Sequence, residues 1–574
     1  MGGEFKRDAR TQYPSIFQRG LIIFPSFPDF LLGLSGAQNG TGIFSNVLVS
    51  ILASGSLEKA DRYSNFAGFV QDDFRVSPRL TLNLGLRWEF FGPPKDIRGR
   101  LGNFDPNLAI PEPPAAGTLT GILLEENYSG PLPAGVTLRQ ESGLWDKDLN
   151  DFAPRLGFAF RLRDSLVLRG GYGIYYQRLT GQVALQTVAN LPFTLFDIRG
   201  GPANANATFQ VPVSPPGLPP SSFPLFVPRT SSSTISPIGI STSVRSPYVQ
   251  QYGLNLQYEF VRNFLLEVGY VGSKGTRLGG SVGFNQALIA TPQNPVHGVT
   301  ATSVGNVQQR VPIVGLAAGA SIVETIFNSN YHSLQTSVTK RLSRGLDFLA
   351  SYTWSKSLDV SSGGRGSTTF DIGSILGDQT DFRSGYGPSD FDRPHRFVYS
   401  FVYQPPEFRR GPRPLQLLLS RWQFSGLTVF QSGTPITVVD SRAGTIFGAS
   451  PGTARAQCTG QNLVSSGSVT SRLNGYFNTA AFTTAPIIGN GTGFGNCGKG
   501  IVRAPGQRNL DFAIQRSFRI IKETNLLFRA EFFNLTNTPN FGLPNADLAS
   551  PSFGVISNTV SNPRIIQFAL KYSF

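Results

Sequence analysis

The chain ends in Arg564-Ile-Ile-Gln-Phe-Ala-Leu-Lys-Tyr-Ser-Phe574, and this stretch decides the fold. Every second side chain is large and apolar: Ile566, Phe568, Leu570, Tyr572 and Phe574. Gln567, Ala569, Lys571 and Ser573 fall between them. Successive side chains of a strand point to opposite faces. One face of this segment is therefore oily and aromatic, and the other polar. Such a strand suits a wall with hydrocarbon on one side and water or packed polar groups on the other, as in a membrane β-barrel.

The alternation recurs upstream in pairs of segments joined by brief turns. Residues 66–76 and 79–91 form one pair. In its second member Leu80, Leu82, Leu84, Leu86, Trp88 and Phe90 oppose Thr81, Asn83, Gly85, Arg87 and Glu89. Residues 152–162 with 166–176, 250–260 with 264–272, and 331–342 with 346–357 repeat the arrangement. Residues 396–404 pair with 421–432 across a link rich in proline and arginine, and 508–518 pair with 525–535. Adding 2–10 and 564–574 predicts about 14 strands, an even number as in bacterial barrels. Long connections separate the pairs, at about 92–151, 177–249, 273–330, 358–395, 433–507 and 536–563. They are rich in Pro, Gly, Ser, Thr and Asn, so irregular backbone is expected, above all over Val211–Pro237. Short turns would gather at one end of the wall and long loops at the other, with both chain ends on the turn side.

Composition agrees. Mean hydropathy is −0.07, and no apolar run approaches the roughly 18 residues that a transmembrane helix needs. Phe 46 and Tyr 17 against Met 1, together with Gly 64 and Pro 41, favour strands and turns over helices. The net charge of +15 could suggest nucleic acid. The cations are scattered singly inside alternating segments, however, which argues for no nucleic-acid partner and for a lipid surface or plain solvation. Cys458 and Cys497 share one long connection. A loop disulfide in an oxidising compartment is one reading, and two unpaired thiols the other. The opening Met1-Gly-Gly-Glu-Phe-Lys-Arg7 has no apolar export core, so no signal peptide is expected within it.

Several segments carry a family resemblance. They are Phe66-Ala-Gly-Phe-Val-Gln-Asp-Asp-Phe74, Leu80-Thr-Leu-Asn-Leu-Gly-Leu-Arg-Trp-Glu89 and Asn330-Tyr-His-Ser-Leu-Gln-Thr336. Ser351-Tyr-Thr-Trp-Ser-Lys-Ser357, Asp390-Phe-Asp-Arg-Pro-His-Arg396 and Arg529-Ala-Glu-Phe-Phe-Asn-Leu-Thr-Asn537 extend the series. As an ordered set they resemble the barrel of the TonB-dependent outer-membrane receptors, particularly the Oar-like branch. The resemblance implies an all-β fold: an antiparallel transmembrane β-barrel of 22 strands in the family, with short periplasmic turns, long extracellular loops and a plug in the lumen. Residues 1–574 would then be the C-terminal part of such a barrel, N-terminally truncated. Neither a plug domain nor a TonB-contacting box is recognisable.

Enzymatic chemistry finds little support. Gly279-Gly-Ser-Val-Gly283 has the spacing of a nucleophile elbow but should lie in a glycine-rich loop without a following helix. Gly489–Gly495 likewise lacks a helix to hold phosphate. His297, His332 and His395 are not clustered as metal ligands would be. Asp390, Asp392, Arg393 and Arg396 read instead as a salt-bridged rim at a strand entrance. No catalytic residues, no metal and no cofactor are expected.

The wall assigns other roles. Arg87, Glu89, Arg155, Arg169, Asn255, Glu259, Glu267 and Lys571 should face the lumen. Trp88, Trp354 and Trp422 are candidates for aromatic girdles, as are Tyr572 and Phe574. Phe568, Leu570, Tyr572 and Phe574 resemble the signal read by the barrel-assembly machinery. The implied function is uptake of a large or scarce solute across the outer membrane, coupled to the TonB complex through a plug that these residues do not include. A passive pore, a surface adhesion or structural barrel, and a non-functional gene fragment are the rival readings.

Overall fold

The computed structural model describes the chain except residues 13–16, 43–44, 142, 180–189, 201–203, 214–216, 363–372, 450–452 and 522–523. Long antiparallel strands dominate it. In chain order they are β1 (Gly2–Gln12), β2 (Lys59–Ser77), β3 (Leu80–Phe91), β4 (Asp151–Arg163), β5 (Leu166–Tyr176), β6 (Tyr248–Val261) and β7 (Phe264–Gly283). They continue as β8 (Ser321–Ser343), β9 (Leu346–Asp359), β10 (His395–Tyr403), β11 (Trp422–Gln431), β12 (Gln507–Ile521), β13 (Thr524–Phe533) and β14 (Ile565–Ser573). Each pairs with the next in sequence, from β1–β2 through β13–β14. Among the described residues β1 and β14 are not paired with each other, so the sheet is not closed.

The register holds one set of residues on each face. Leu84 stands opposite Leu156, Leu156 opposite Tyr172, Tyr172 opposite Tyr252, and Leu254 opposite Tyr270. Further round, Leu334 meets Trp354, Phe397 meets Phe430, and Phe528 meets Leu570. These form one continuous oily face, and its members are exposed: Leu84 43%, Leu156 52%, Phe568 68%. A soluble protein rarely leaves a contiguous apolar surface of this extent uncovered. Asp72 departs from the pattern, standing opposite Leu84 on the oily face, and nothing in the structure explains it.

The short turns share one end of the sheet, and bulges mark them. Register shifts precede the turns at Ser77, Arg163, Val261, Ser343 and Ile521, re-aiming each strand into its hairpin. Asn263 (φ 69°), Arg344 (φ 51°) and Gly345 (φ 78°) supply the left-handed residues. At Gly345 a Cβ would strike the Gln404 carbonyl, so only glycine fits. β14 finishes at this turn end, with Ser573 opposite Asn525, whereas β1 points toward it but starts partway along the wall, with Gly2 opposite Phe69.

The strands outrun the alternating segments that predict them. β2 has 19 residues, β7 20 and β8 23, against roughly 10 needed to cross a bilayer. The surplus lies at the loop end. Backbone pairing continues there, but no hydrocarbon demands an apolar face, so the alternation stops while the strand does not. Gly279–Gly283 is accordingly part of β7, with Gly280 opposite Glu324, and not the loop expected from its glycines.

Above the wall, the long connections pack together. Val438, Ala456, Phe477, Phe482, Cys497, Val502 and Ile556 form one buried cluster. Leu101, Leu144, Trp145, Ile240 and Val323 form another. These connections are rich in irregular backbone, as expected, but they hold the hydrophobic core of the molecule. Among the described residues no helix is long and apolar enough to cross a membrane, which says nothing about crossing by strands.

Candidate functional site

All eight polar residues assigned to the lumen lie on the face opposite the oily one. Arg87 and Glu89 alternate with Trp88 on β3, Arg155 stands opposite Gly85, and Arg169 opposite Asn255. Glu259 pairs with Leu265, Glu267 with Gln257, and Lys571 with Leu527. They do not form one cluster. Arg155, Arg169 and Asn255 line a groove of about 720 Å³ with Gln71, Asn83 and Gln251. Its floor is glycine: Gly85, Gly157, Gly171, Gly253 and Gly269 lie on this face of five adjacent strands. The missing side chains make the room. The Arg155 guanidinium lies 4.8 Å from the Tyr175 ring centre.

Arg87 and Glu89 are elsewhere, toward β1. Arg87 Nε donates to Glu89 Oε1 at 2.8 Å, and its Nη2 lies 3.4 Å from Glu4. Glu259 and Glu267 serve the turn-end half of the wall. Glu259 accepts from the Asn263 N–H (3.1 Å), and Glu267 from Gln257 (2.5 Å) and Ser337 (3.2 Å). Lys571 stands exposed on β14.

The tryptophans separate by height. Trp88 and Trp354 lie toward the loop end, Trp88 donating to the Leu149 carbonyl at 2.9 Å. Trp422 begins β11 at the turn end and donates to the Leu418 carbonyl at 2.9 Å. Tyr572 and Phe574 lie at that end too, with ring centres 5.9 Å apart.

Polar anchors that tie the loop layer to the wall were not visible in the sequence. Lys499 forms a buried ion pair with Asp359 at the loop end of β9. Asp392 accepts from Arg503 at 2.6 Å and from the Ser357 N–H at 2.7 Å. The Asp390–Arg396 rim thus recruits its cation from more than a hundred residues away. Arg393 meanwhile donates to the Ser432 carbonyl (2.7 Å), and His395 bonds the Tyr352 hydroxyl (2.8 Å). Cys458 and Cys497 are disulfide-bonded, Cα atoms 5.1 Å apart, within the first loop cluster. Glu125 is buried in the connection after β3, accepting from the Asp96 and Leu101 N–H groups. Burial, reinforced by the Asp96 and Glu126 charges, pushes its carboxyl up to about 8. A cavity of about 460 Å³ opens in the same layer between Phe104, Leu119, Phe196 and Arg229. No group of His, Cys, Asp or Glu among the described residues is arranged to hold a metal.

Comparison with known proteins places the chain. Residues 1–567 match the family described as "Outer membrane beta barrel domain". The chain belongs to that family, and it is a protein of the bacterial outer membrane. No curated protein matches. Similar solved structures include the pyoverdine outer membrane receptor FpvA of Pseudomonas aeruginosa, at 9% identity, 90% of this chain, 43% of that one and TM-score 0.40. The ferric-catecholate import receptor Fiu of E. coli gives 10%, 90%, 45% and 0.37. The ferric enterobactin receptor PfeA of P. aeruginosa gives 10%, 92%, 57% and 0.39. The chain thus spans about two fifths to just over half of these structures' length.

Proposed function

We propose that the chain is the barrel part of a TonB-dependent receptor that takes up a large or scarce solute across the outer membrane. On this reading the sheet is a portion of a 22-stranded wall, its turns periplasmic and its packed connections extracellular. The observation that carries the reading is the two-ended build, joined to the ordered barrel motifs. Short bulged turns occupy one end, and structured connections with their own buried cores occupy the other. The groove beside Arg155, Arg169 and Asn255 would lie on the solute's route or against a plug. Trp88 and Trp354 would sit in the outer girdle and Trp422 in the inner one. The C-terminal Phe568, Leu570, Tyr572 and Phe574 would be read by the assembly machinery. Nothing in this scheme calls for catalysis.

Planar bilayers and whole cells separate the readings. With the chain in its natural gene context, a steady wide conductance to potassium chloride would establish the passive pore. Absence of that conductance, with solute uptake abolished by a protonophore, is the result expected of a receptor.

A further inference from the structure

The turn-end link between β10 and β11 is unlike the others. It is longer and contains a helix, Arg413–Leu419. Leu415, Leu418 and Leu419 stand at helical spacing along one stripe and are exposed at 39%, 60% and 45%. The link also carries Arg409, Arg410, Arg413 and Arg421 against Glu407 alone. Arg409 and Arg421 lie only loosely near Glu407, at 3.7 and 3.9 Å. Arg410 and Arg413 have no ion pair among the described residues.

The helix is pinned to the oily face. The Leu418 carbonyl accepts from Trp422 Nε1 (2.9 Å) and from Arg516 Nη1 (2.7 Å). Trp422 and Arg516 are cross-strand partners in the oily series that continues through Phe424 and Ile514. The Arg516 guanidinium is wedged between aromatic rings, 5.2 Å from the Trp422 centre and 4.3 Å from that of Phe518. Arg516 is 5% exposed, and its Nε is buried without a partner among the described residues. The helix is thus held against the wall with its exposed leucines beside arginines that lack ion pairs, the pairing of apolar and cationic groups that suits a lipid–water boundary.

We propose that the 404–421 link is a membrane-interface foot that binds phospholipid. Its leucine stripe enters the acyl region of the leaflet at the turn end, its exposed arginines hold headgroup phosphates, and the buried Arg516 anchors the helix to the wall. Two features select lipid as the occupant. The leucine stripe is continuous with a wall already facing hydrocarbon, and the charge is opposite to that of phosphate. The proposal rests on the outer-membrane placement and not on the transport reading.

The test uses the full chain refolded into vesicles of phosphatidylethanolamine, with or without phosphatidylglycerol. A nitroxide is attached at Leu419→Cys, and in a second sample at Leu84→Cys on the wall. Relaxation by oxygen, which concentrates in hydrocarbon, is compared with relaxation by a water-soluble nickel chelate. Both labels should favour oxygen. Combining Leu419→Cys with Arg409→Glu, Arg410→Glu and Arg413→Glu should cut the oxygen-to-nickel ratio at Leu419 by about threefold or more in phosphatidylglycerol vesicles, because the reversed charges are repelled by the anionic headgroups. The ratio at Leu84 should be unchanged. A Leu419 label in water while the Leu84 label is in lipid overturns the foot. A Leu419 ratio indifferent to the three charge reversals overturns its headgroup contacts. Both labels in water overturn the wall and the foot together.

Discussion

Within β2 the usual rule of burial is inverted partway along one strand. At its loop end Lys59 and Asp61 are 0% and 1% exposed, whereas toward its turn end Phe66 and Phe74 are 45% and 54% exposed. The lower half meets lipid, so apolar groups face out and need no protein cover. The upper half meets the loop layer, where a polar side chain such as Lys59 can be buried because hydrogen bonds hold it. Lys59 donates to the Arg100 carbonyl at 2.6 Å. Two solvents built one strand. The wall takes its stability from lipid and ladder hydrogen bonds, and the loop layer from protein packing.

The sharpest test attacks the loop layer. Phe477 is 2% exposed and packs against Phe482 and Phe553, with ring centres 5.5 and 5.1 Å away. Phe477→Ala should cost about 3–5 kcal/mol of loop-layer stability. Lys499→Met strands the Asp359 carboxylate in the interior and should cost about 3–5 kcal/mol as well. Limited proteolysis in urea should find the 433–507 connection cleaved early in both variants while the wall keeps its heat-modifiable gel mobility. Loss of the wall at the same urea concentration would erase the distinction between the halves.

The wall test comes next. Leu84→Arg puts a guanidinium into hydrocarbon, at a cost of about 2–4 kcal/mol near the midplane. Asn83→Arg, one residue away, points to the polar face and should cost little. Gel mobility before and after heating reads the folded fraction of each. Equal losses would mean that the faces are misassigned.

A third effect is smaller and depends on pH. Burial raises the Glu125 carboxyl to about 8, while two backbone N–H groups favour its ionised form and limit the penalty. The folded state therefore holds a proton that the unfolded chain releases near the ordinary value of 4.5. Its contribution is fully present below pH 4.5 and is lost as pH rises toward about 8. Hydrogen-exchange protection over 95–125, corrected for the intrinsic rise of amide exchange with pH, should fall between pH 5 and 8, and Glu125→Gln should flatten that fall. An unchanged slope in the variant would assign the effect to another group.

What the sequence disclosed follows the same division. Lipid and water impose a period of two, and Leu80 through Phe90 carry it in the open. The strand pairs, the turn positions and the alternation of faces were therefore legible. The loop layer has no period. Phe477 meets Phe553, and Asp392 meets Arg503, through contacts that only the finished fold brings together. The grouping of the polar-face residues was hidden for a related reason. The groove at Arg155, Arg169 and Asn255 is made by glycines on neighbouring strands, and an absent side chain carries no signal until register is known. The surplus length of β2, β7 and β8 escaped because strands outside the bilayer need not alternate.

The smallest expected effect bears on what the polar face touches. On β13, Arg529 and Glu531 form an ion pair of 2.7 Å, with side chains 46% and 19% exposed. If that face is wet, water screens the pair, and Arg529→Ala should shift stability by no more than about 1 kcal/mol. The pair resembles Lys499–Asp359 in chemistry and differs in cover, so the two substitutions together measure the cover. The readings are the urea midpoint of heat-modifiable mobility for Arg529→Ala and that of loop-layer proteolysis for Lys499→Met. A loss at Arg529 approaching that at Lys499 would mean that the polar face is packed against protein, as a lumen-filling domain in a longer chain would make it. A loss that stays small in the short chain and grows in a longer one would locate that contact at β13.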